Sequence, residues 1–311
     1  MNMVDAEKPV AEGLRGELRQ REPMARHTSW RAGGAADQAY FPADLADLAA
    51  FLRALPASEP VQMVGLGSNL LVRDRGLRGT VIFTHWALRA IRVGRVESGH
   101  GEIYAEAGIA SPRIARFAAM HGFKGAEFLA GIPGTVGGAL AMNAGAFGGE
   151  TWKIVDRAVT IDRSGTLRER WPADYEIDYR HARLVLHSSE EWFVAATFRL
   201  PRGDRQSSRR IIKGLLQQRL ATQPLERPNA GSVFRNPSGS EYAAHFIEAC
   251  GLKGHEIGGA QISTKHANFI VNAGGASAAD IEALIDLAER SVSEKFGITL
   301  VREVRIVGER W

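Results

Sequence analysis

Apolar positions recur along this chain at two spacings, and each spacing predicts an element. Over residues 43–55 (ADLADLAAFLRAL), Leu45, Leu48, Ala49 and Leu52 follow the i, i+3, i+4, i+7 order of an amphipathic helix. A strand-like VQMVG comes next, then the glycine turn GLGSN, then two further strand-like runs, LLVRD and GTVIFT. Ser111-Pro112 opens a second helix through Met120, with the serine as cap, the proline at the first helical position and Gly122 at its end. EIYAEAG before that helix and AVTIDRSGTLRER after residue 157 predict strands, the latter folded into a hairpin at Ser164-Gly165. WFVAATFRL at 192–200 predicts one more.

The texture changes at 201–208, where PRGDRQSS is the best linker candidate. Beyond it, Ile211, Ile212, Leu215 and Leu216 mark one helix, and Ala243 to Cys250 a second, ended by Gly251. A third covers about 278–296, with Ser277 and Asp280 as a capping box and Gly297 at its end. Short apolar runs, SVF and ANFIV, lie between these helices, and ITLVREVRIVG closes the chain as a strand. Alternation in that strand puts Ile298, Leu300, Val304 and Ile306 on a core face, and Thr299, Val301, Glu303, Arg305 and Val307 on the other. Residues 1–22 are charged and weakly periodic, as a tail or a loosely packed helix would be. The expected class is α+β: the tail, a strand-rich and glycine-rich part over 23–203, and a smaller α+β part over 204–311.

Composition removes classes. With 45% hydrophobic and 24% charged residues the chain is neither disordered nor fibrous, and 311 residues suggest about two domains. An excess of 39 Lys and Arg over 35 Asp and Glu, net +4, is too small to indicate a nucleic-acid partner. The single cysteine, Cys250, rules out an intrachain disulfide and any multi-cysteine metal site. None of the nine histidines, His266 among them, stands at metal-ligand spacing, so no metal is expected. The first residues lack the apolar core of a secretory signal, and no run approaches the roughly 20 apolar residues of a membrane span. A cytoplasmic protein is expected, without membrane contact.

The 34 glycines matter through their placement. Gly65, Gly67, Ser68 and Asn69 form one loop between strands, and Gly131 to Ala139 (GIPGTVGGA) a second. Such density lets backbone N–H groups approach an anion, and Ser68 and Asn69 add side-chain donors. One loop alone reads as a tight turn; two shift the reading towards a dinucleotide pyrophosphate. GxGxxG opening a helix, GxxxxGK[ST], HExxH, CxxC and GxSxG are all missing. Four polar positions stand out. Glu303 and Arg305 share a strand face and suit an exposed ion pair. Ser232, after Gly231, suits a turn or a nucleophile. Arg180, after Tyr179, suits a surface site or a carboxylate clamp.

Seven motifs in order make the chain resemble the UDP-N-acetylenolpyruvoylglucosamine reductases: HTSWRAGGAAD, VGLGSNLLVRDRGLRG, EFLAGIPGTVGGALAMNAGAFG, DYRHARL, QPLERPNAGSVFRNP, GLKGHEIGGAQISTKHANFIVN and VREVRIVG. The resemblance runs from about His27 to Gly308. It implies a two-subdomain FAD-binding domain of the vanillyl-alcohol-oxidase type with a smaller substrate-binding domain. FAD would be non-covalent and NADPH the co-substrate, and the loops bearing Gly65, Gly67, Ser68, Asn69, Ile132, Gly134, Thr135, Gly137 and Gly138 would hold FAD, with Arg305 beside the flavin. The enolpyruvyl ether of UDP-N-acetylglucosamine would be reduced to UDP-N-acetylmuramate for peptidoglycan.

By motif match, Arg180 and Glu303 would stabilise the enolate-like charge and Ser232 would donate the proton. Tyr179, Asn236, Lys253, Gln261 and Asn268 fall in motifs lining the substrate region. A monomer acting on small molecules, with no nucleic-acid partner, is expected. The chain departs from one branch of the family: no tyrosine occurs between Tyr179 and Tyr242, and Thr222 stands where some members place lysine. Arg219 or Arg235 would then take over the diphosphate. Position 27 is His where Asn is common. The alternatives are a sugar or alcohol oxidase on the same fold and a non-catalytic nucleotide-binding protein.

Overall fold

The computed structural model describes residues 13–185, 190–237 and 241–310. The supposed tail is its first departure from expectation. Glu17–Pro23 is a strand, antiparallel to Ala35–Phe41, which runs parallel to Leu77–Phe83 and through it to Val61–Val64. An edge strand needs apolar contact on one side only, and Leu18 supplies it. Its weak periodicity is therefore no sign of a loose segment. Residues 1–12 lie outside the described residues. Helix α1, Leu45–Ala54, starts at Asp44, whose carboxylate accepts from Asp47 N, and buries Leu48, Phe51 and Leu52.

The second sheet is antiparallel in the order Leu167–Arg170, Val155–Asp162, Glu191–Pro201, His100–Glu106, Ile91–Val96. Helices α2 (Ser111–Met120) and α3 (Val136–Ala141) pack with it. Ala110, not Ser111, holds the cap position of α2. Ser111 is instead buried, and its N–H donates to Gly134 O at 2.9 Å, tying the helix to the second glycine loop. The proposed linker is also short. The last strand reaches Pro201, Asp204 caps α4 (Arg205–Thr222), and Ile212 of α4 is buried with Ile114, Ala115 and Ala119 of α2. The change of texture at 201–208 is thus not a change of core.

The remaining residues build α5 (Ala243–Ala249), α6 (Ala278–Phe296) and a three-stranded antiparallel sheet of Glu256–Ile257, Ala260–Ile262 and Ile270–Asn272. The capping box at Ser277 and Asp280 and the left-handed Gly297 (φ 68°) bound α6 as the spacing predicts. Their core also takes in Trp30, Ala32 and Leu71 from far upstream. The terminal segment is not one strand. Arg302 bridges to Phe234, the chain bends at Val304, and only Arg305–Val307 is a strand, parallel to Leu70–Val72. Leu300 and Val304 are buried as the alternation requires, but the partners change midway from residues near 234 to residues near 70.

Candidate active site

That change of partners builds the site. Glu303 N–H donates to Val233 O at 2.8 Å, and Arg305 N–H to Asn69 O at 3.0 Å. Asn69 Nδ2 donates to Glu303 O at 3.0 Å. Glu303 therefore hangs by its backbone between the Ser232 loop and the first glycine loop. A cleft of about 370 Å³ opens there, lined by both glycine loops, Arg180, Ser232, Glu303 and Arg305. The three residues singled out across 123 positions of sequence thus converge on one cavity.

Arg180 arrives by a hairpin, Tyr175–Asp178 paired with His181–Leu184. Its two-residue turn leaves Arg180 at φ 54°, a left-handed conformation in which the Cβ is crowded. The guanidinium is doubly held, with Nε donating to Glu303 Oε1 at 2.6 Å and Nη2 to Gly145 O at 2.9 Å. A Cβ at Gly145 would sit 3.0 Å from Arg180 Nη1 and 2.5 Å from Gly149 O, so this close approach requires glycine. Asn143, which sequence reasoning missed, braces the hairpin: Nδ2 donates to Asp178 O at 3.0 Å while Oδ1 accepts from Trp152 N at 3.2 Å. Burial pushes the Glu303 carboxyl above the usual carboxylate range, and the charges of Arg180 and Arg235 only partly oppose it.

The Ser232 loop is fixed from behind. Asn268 is buried, its Oδ1 accepts from Phe234 N at 2.9 Å, its Nδ2 donates to Phe234 O at 2.8 Å, and its own carbonyl accepts from Val233 N. Expected as a substrate contact, Asn268 braces the loop with one bond from each of its amide atoms. The Ser232 hydroxyl has no partner among the described residues and opens on the cleft. The other expected substrate residues lie off the cleft lining. Tyr179 is exposed beside Arg180, Asn236 accepts from Ala243 N at the start of α5, Lys253 pairs with Glu248, and Gln261 donates to Glu256.

The two glycine loops face each other. A Cβ at Gly65 would meet Thr135 Oγ1 at 2.3 Å, and one at Gly134 would meet Ser68 Oγ at 3.1 Å. The backbone N–H groups of Gly67, Ser68, Gly134 and Thr135 find no acceptor among the described residues. Gly137 and Gly138 differ from expectation: Gly137 N donates to Ala107 O, and Gly138 N to the Thr135 hydroxyl that caps α3. Gly137 serves packing, since a Cβ there would lie 3.0 Å from that of Ala107, whereas one at Gly138 would meet only the Thr135 hydroxyl at 3.8 Å. Ile132 lines the cleft, as does Arg219 from α4, a residue without an expected place in the FAD loops.

A family model described as FAD binding domain matches residues 36–169, and one described as UDP-N-acetylenolpyruvoylglucosamine reductase, C-terminal domain, matches 223–307. The UDP-N-acetylenolpyruvoylglucosamine reductase of Thiobacillus denitrificans is 55% identical, covering 100% of this chain and 98% of its own. The chain belongs to the UDP-N-acetylenolpyruvoylglucosamine reductase family. A member from Legionella pneumophila is 49% identical over 94% of this chain and 93% of its own. The solved structure of the Thermus caldophilus reductase superposes with a TM-score of 0.75 at 28% identity, over 94% of this chain and 99% of that one. The residues present fit the FAD that the first model describes. Two opposed loops with free N–H donors and no room for side chains make a cradle for a diphosphate.

Proposed function

We propose that this chain reduces UDP-N-acetylglucosamine enolpyruvate to UDP-N-acetylmuramate for peptidoglycan synthesis, with NADPH as reductant. The observation that carries the reading is the Arg180–Glu303 pair, 2.6 Å apart, in one cleft with the Ser232 hydroxyl and the glycine cradle. The cradle residues would hold FAD, whose chemistry there would be hydride transfer: two electrons and a proton taken from NADPH and passed on to the terminal carbon of the enolpyruvyl double bond. Arg180 holds the substrate carboxylate, where negative charge grows as the double bond is reduced. Glu303, kept protonated to higher pH by burial, donates a hydrogen bond to the same charge. Ser232 gives its proton to the carbon next to the carboxylate, which is basic enough to take it from a positioned hydroxyl. Asn268 and Asn143 hold the two loops so that these groups keep their mutual distances. Among the described residues no helix is long and apolar enough to cross a membrane, and a monomer working in the cytoplasm is the setting we propose.

The test is a purified chain, its flavin spectrum, and NADPH oxidation with and without the enolpyruvyl UDP-sugar. Turnover that depends on the UDP-sugar supports the reading. A yellow protein that reoxidises fast with oxygen and ignores the UDP-sugar would be the sugar or alcohol oxidase instead.

A further inference from the structure

The chain's net charge is concentrated in one place. Residues 202–213 hold five cations, Arg202, Arg205, Arg209, Arg210 and Lys213, against Asp204 alone, a local +4. Taking these from the chain's 39 cations and 35 acids leaves 34 of each, so everything else balances. Helix α4 has no acid along its length, and neither has α2 beside it. Asp204 is taken up as the cap of α4, its carboxylate accepting from Ser207 N at 2.6 Å. Arg205, Arg209 and Lys213 follow one another at intervals of one turn, about 6 Å along the axis, where like charges repel. Arg205 also stands in the first turn, where the helix dipole disfavours a cation. This row therefore works against the stability of its own helix. With Arg116 of α2, these three side chains are exposed, and none of the four pairs with a carboxylate among the described residues.

The same row continues as Leu216 and Leu220, which are 40% and 63% exposed. Together with Met120 of α2, 57% exposed, they edge a groove of about 500 Å³ between α2 and α4, with the buried Ile212 and Ala119 in its lining. The groove shares no lining residue with the cleft. Its α4 wall is thus cationic in the first half and apolar in the second, over about 22 Å of helix. A bilayer surface is flat at this scale and would meet the cations while leaving the apolar groove unfilled. A second copy of this chain offers no matching helix. In α6, the described helix richest in acids, Glu282 is engaged by Arg73, and Asp286 and Glu289 by Arg302. A helix with carboxylates at one-turn spacing matches the cations in pitch, and apolar side chains further along it reach the exposed leucines. We propose that the groove between α2 and α4 docks an acidic amphipathic helix of another protein, its carboxylates on Arg205, Arg209 and Lys213 and its apolar side chains against Met120, Leu216 and Leu220.

The test uses the FAD-loaded full chain and a fluorescein-labelled synthetic helix as long as the row it is to cover. The probe carries three glutamates at one-turn spacing in its first half and two leucines at the same spacing in its second. Fluorescence anisotropy should show saturable binding, weakened about ten-fold when the glutamates become glutamines and again when salt is raised. Lys213→Glu should weaken the probe about ten-fold, and Leu220→Ser several-fold with the salt response unchanged. The double variant Arg209→Glu, Lys213→Glu should prefer a probe with lysines for glutamates, reversing the parent's choice. Flavin reduction by NADPH stays as in the parent chain throughout. No saturable binding by the parent chain overturns the proposal, and so does binding indifferent to Leu220, which would be unspecific attraction between charges. Sedimentation with vesicles of one part phosphatidylglycerol to three of phosphatidylethanolamine, lost in Lys213→Glu while the probe fails to bind, would make the face a membrane contact and overturn it too. A dimer in sedimentation equilibrium that Lys213→Glu dissolves would give the groove to a second copy, with the same result. If Lys213→Glu has lost its fold by circular dichroism, Lys213→Gln and Leu220→Ser decide.

Discussion

Arg180 holds a backbone conformation that side chains usually avoid, at a cost of about 1–2 kcal/mol for the left-handed geometry. The pair with Glu303 and the bond to Gly145 O offset it, so the strain is locked in by the site. Ser232 is the opposite case, a hydroxyl with no partner among the described residues and nothing to hold except a ligand. We expect Ser232→Ala to leave flavin reduction by NADPH within about two-fold while the second half-reaction slows by at least about 10²-fold, the usual worth of a positioned proton donor. Stopped-flow absorbance of the flavin separates the two halves, and equal loss in both would contradict the role. Glu303 makes a pH prediction. Burial raises its carboxyl in the folded state, so the folded chain binds more protons than the unfolded one between the usual carboxylate range and the raised value. The stability it contributes is full below that window and lost as pH rises through it. Glu303→Gln should abolish this decline, read as a smaller slope of melting temperature against pH; an identical slope in both chains would refute it.

The hairpin at Asp162 shows how one side chain can fix an element. Its Oδ1 accepts from Ser164 N at 2.9 Å, Ser164 Oγ at 2.6 Å and Thr166 N at 3.0 Å, and Oδ2 accepts from Arg168 at 3.0 Å. Burial raises this carboxyl, but the bonds from Ser164, Thr166 and Arg168 outweigh it and hold it below the usual range. Its contribution is therefore present above that range and fades as pH falls through the lowered value. Asp162→Ala should destabilise the fold by about 2–4 kcal/mol near neutral pH, with a smaller difference in strong acid, measured by urea titration at both pH values. This turn was legible from Ser164-Gly165 because its determinants are local. So were α1 and α6, whose caps and apolar spacing lie within a few residues, and α5 from its apolar spacing alone. The strand at Glu17–Pro23 was not, because an edge strand is specified by the register of its partner rather than by its own alternation. Nor were the true cap of α2, set by Gly134 O, and the brace role of Asn268, set by a loop 34 positions away. The convergence of Arg180, Ser232 and Glu303 on one cleft was legible by motif, whereas Lys253 and Gln261, placed by motif in the substrate region, lie off the cleft lining in exposed bonds to Glu248 and Glu256.

At the scale of the molecule the two parts separated by texture share one hydrophobic cluster. Trp30 is fully buried among residues 230–304 and donates from Nε1 to Ile270 O at 2.7 Å. Arg73 grips Glu282 with two bonds of 2.9 and 2.8 Å, and Asp74 accepts from Ala278 N and Ala279 N at the start of α6. Helix α6 is thus capped from both its own Ser277 and the strand-turn after Leu70–Val72. Glu303 reaches the cleft only because the terminal segment crosses from one part to the other. The first part alone would expose Trp30 and Leu71, and the second would lose them as packing partners, so each part is less stable alone than in the whole. We expect heat unfolding followed by far-ultraviolet circular dichroism and by flavin fluorescence to give one coincident transition. Saturating FAD at about 100 times its dissociation constant should add about 2.7 kcal/mol to both signals together, although the cradle belongs to the first part. Two separate transitions, with FAD moving only one, would show that the parts unfold independently and that the shared core around Trp30 is too weak to couple them.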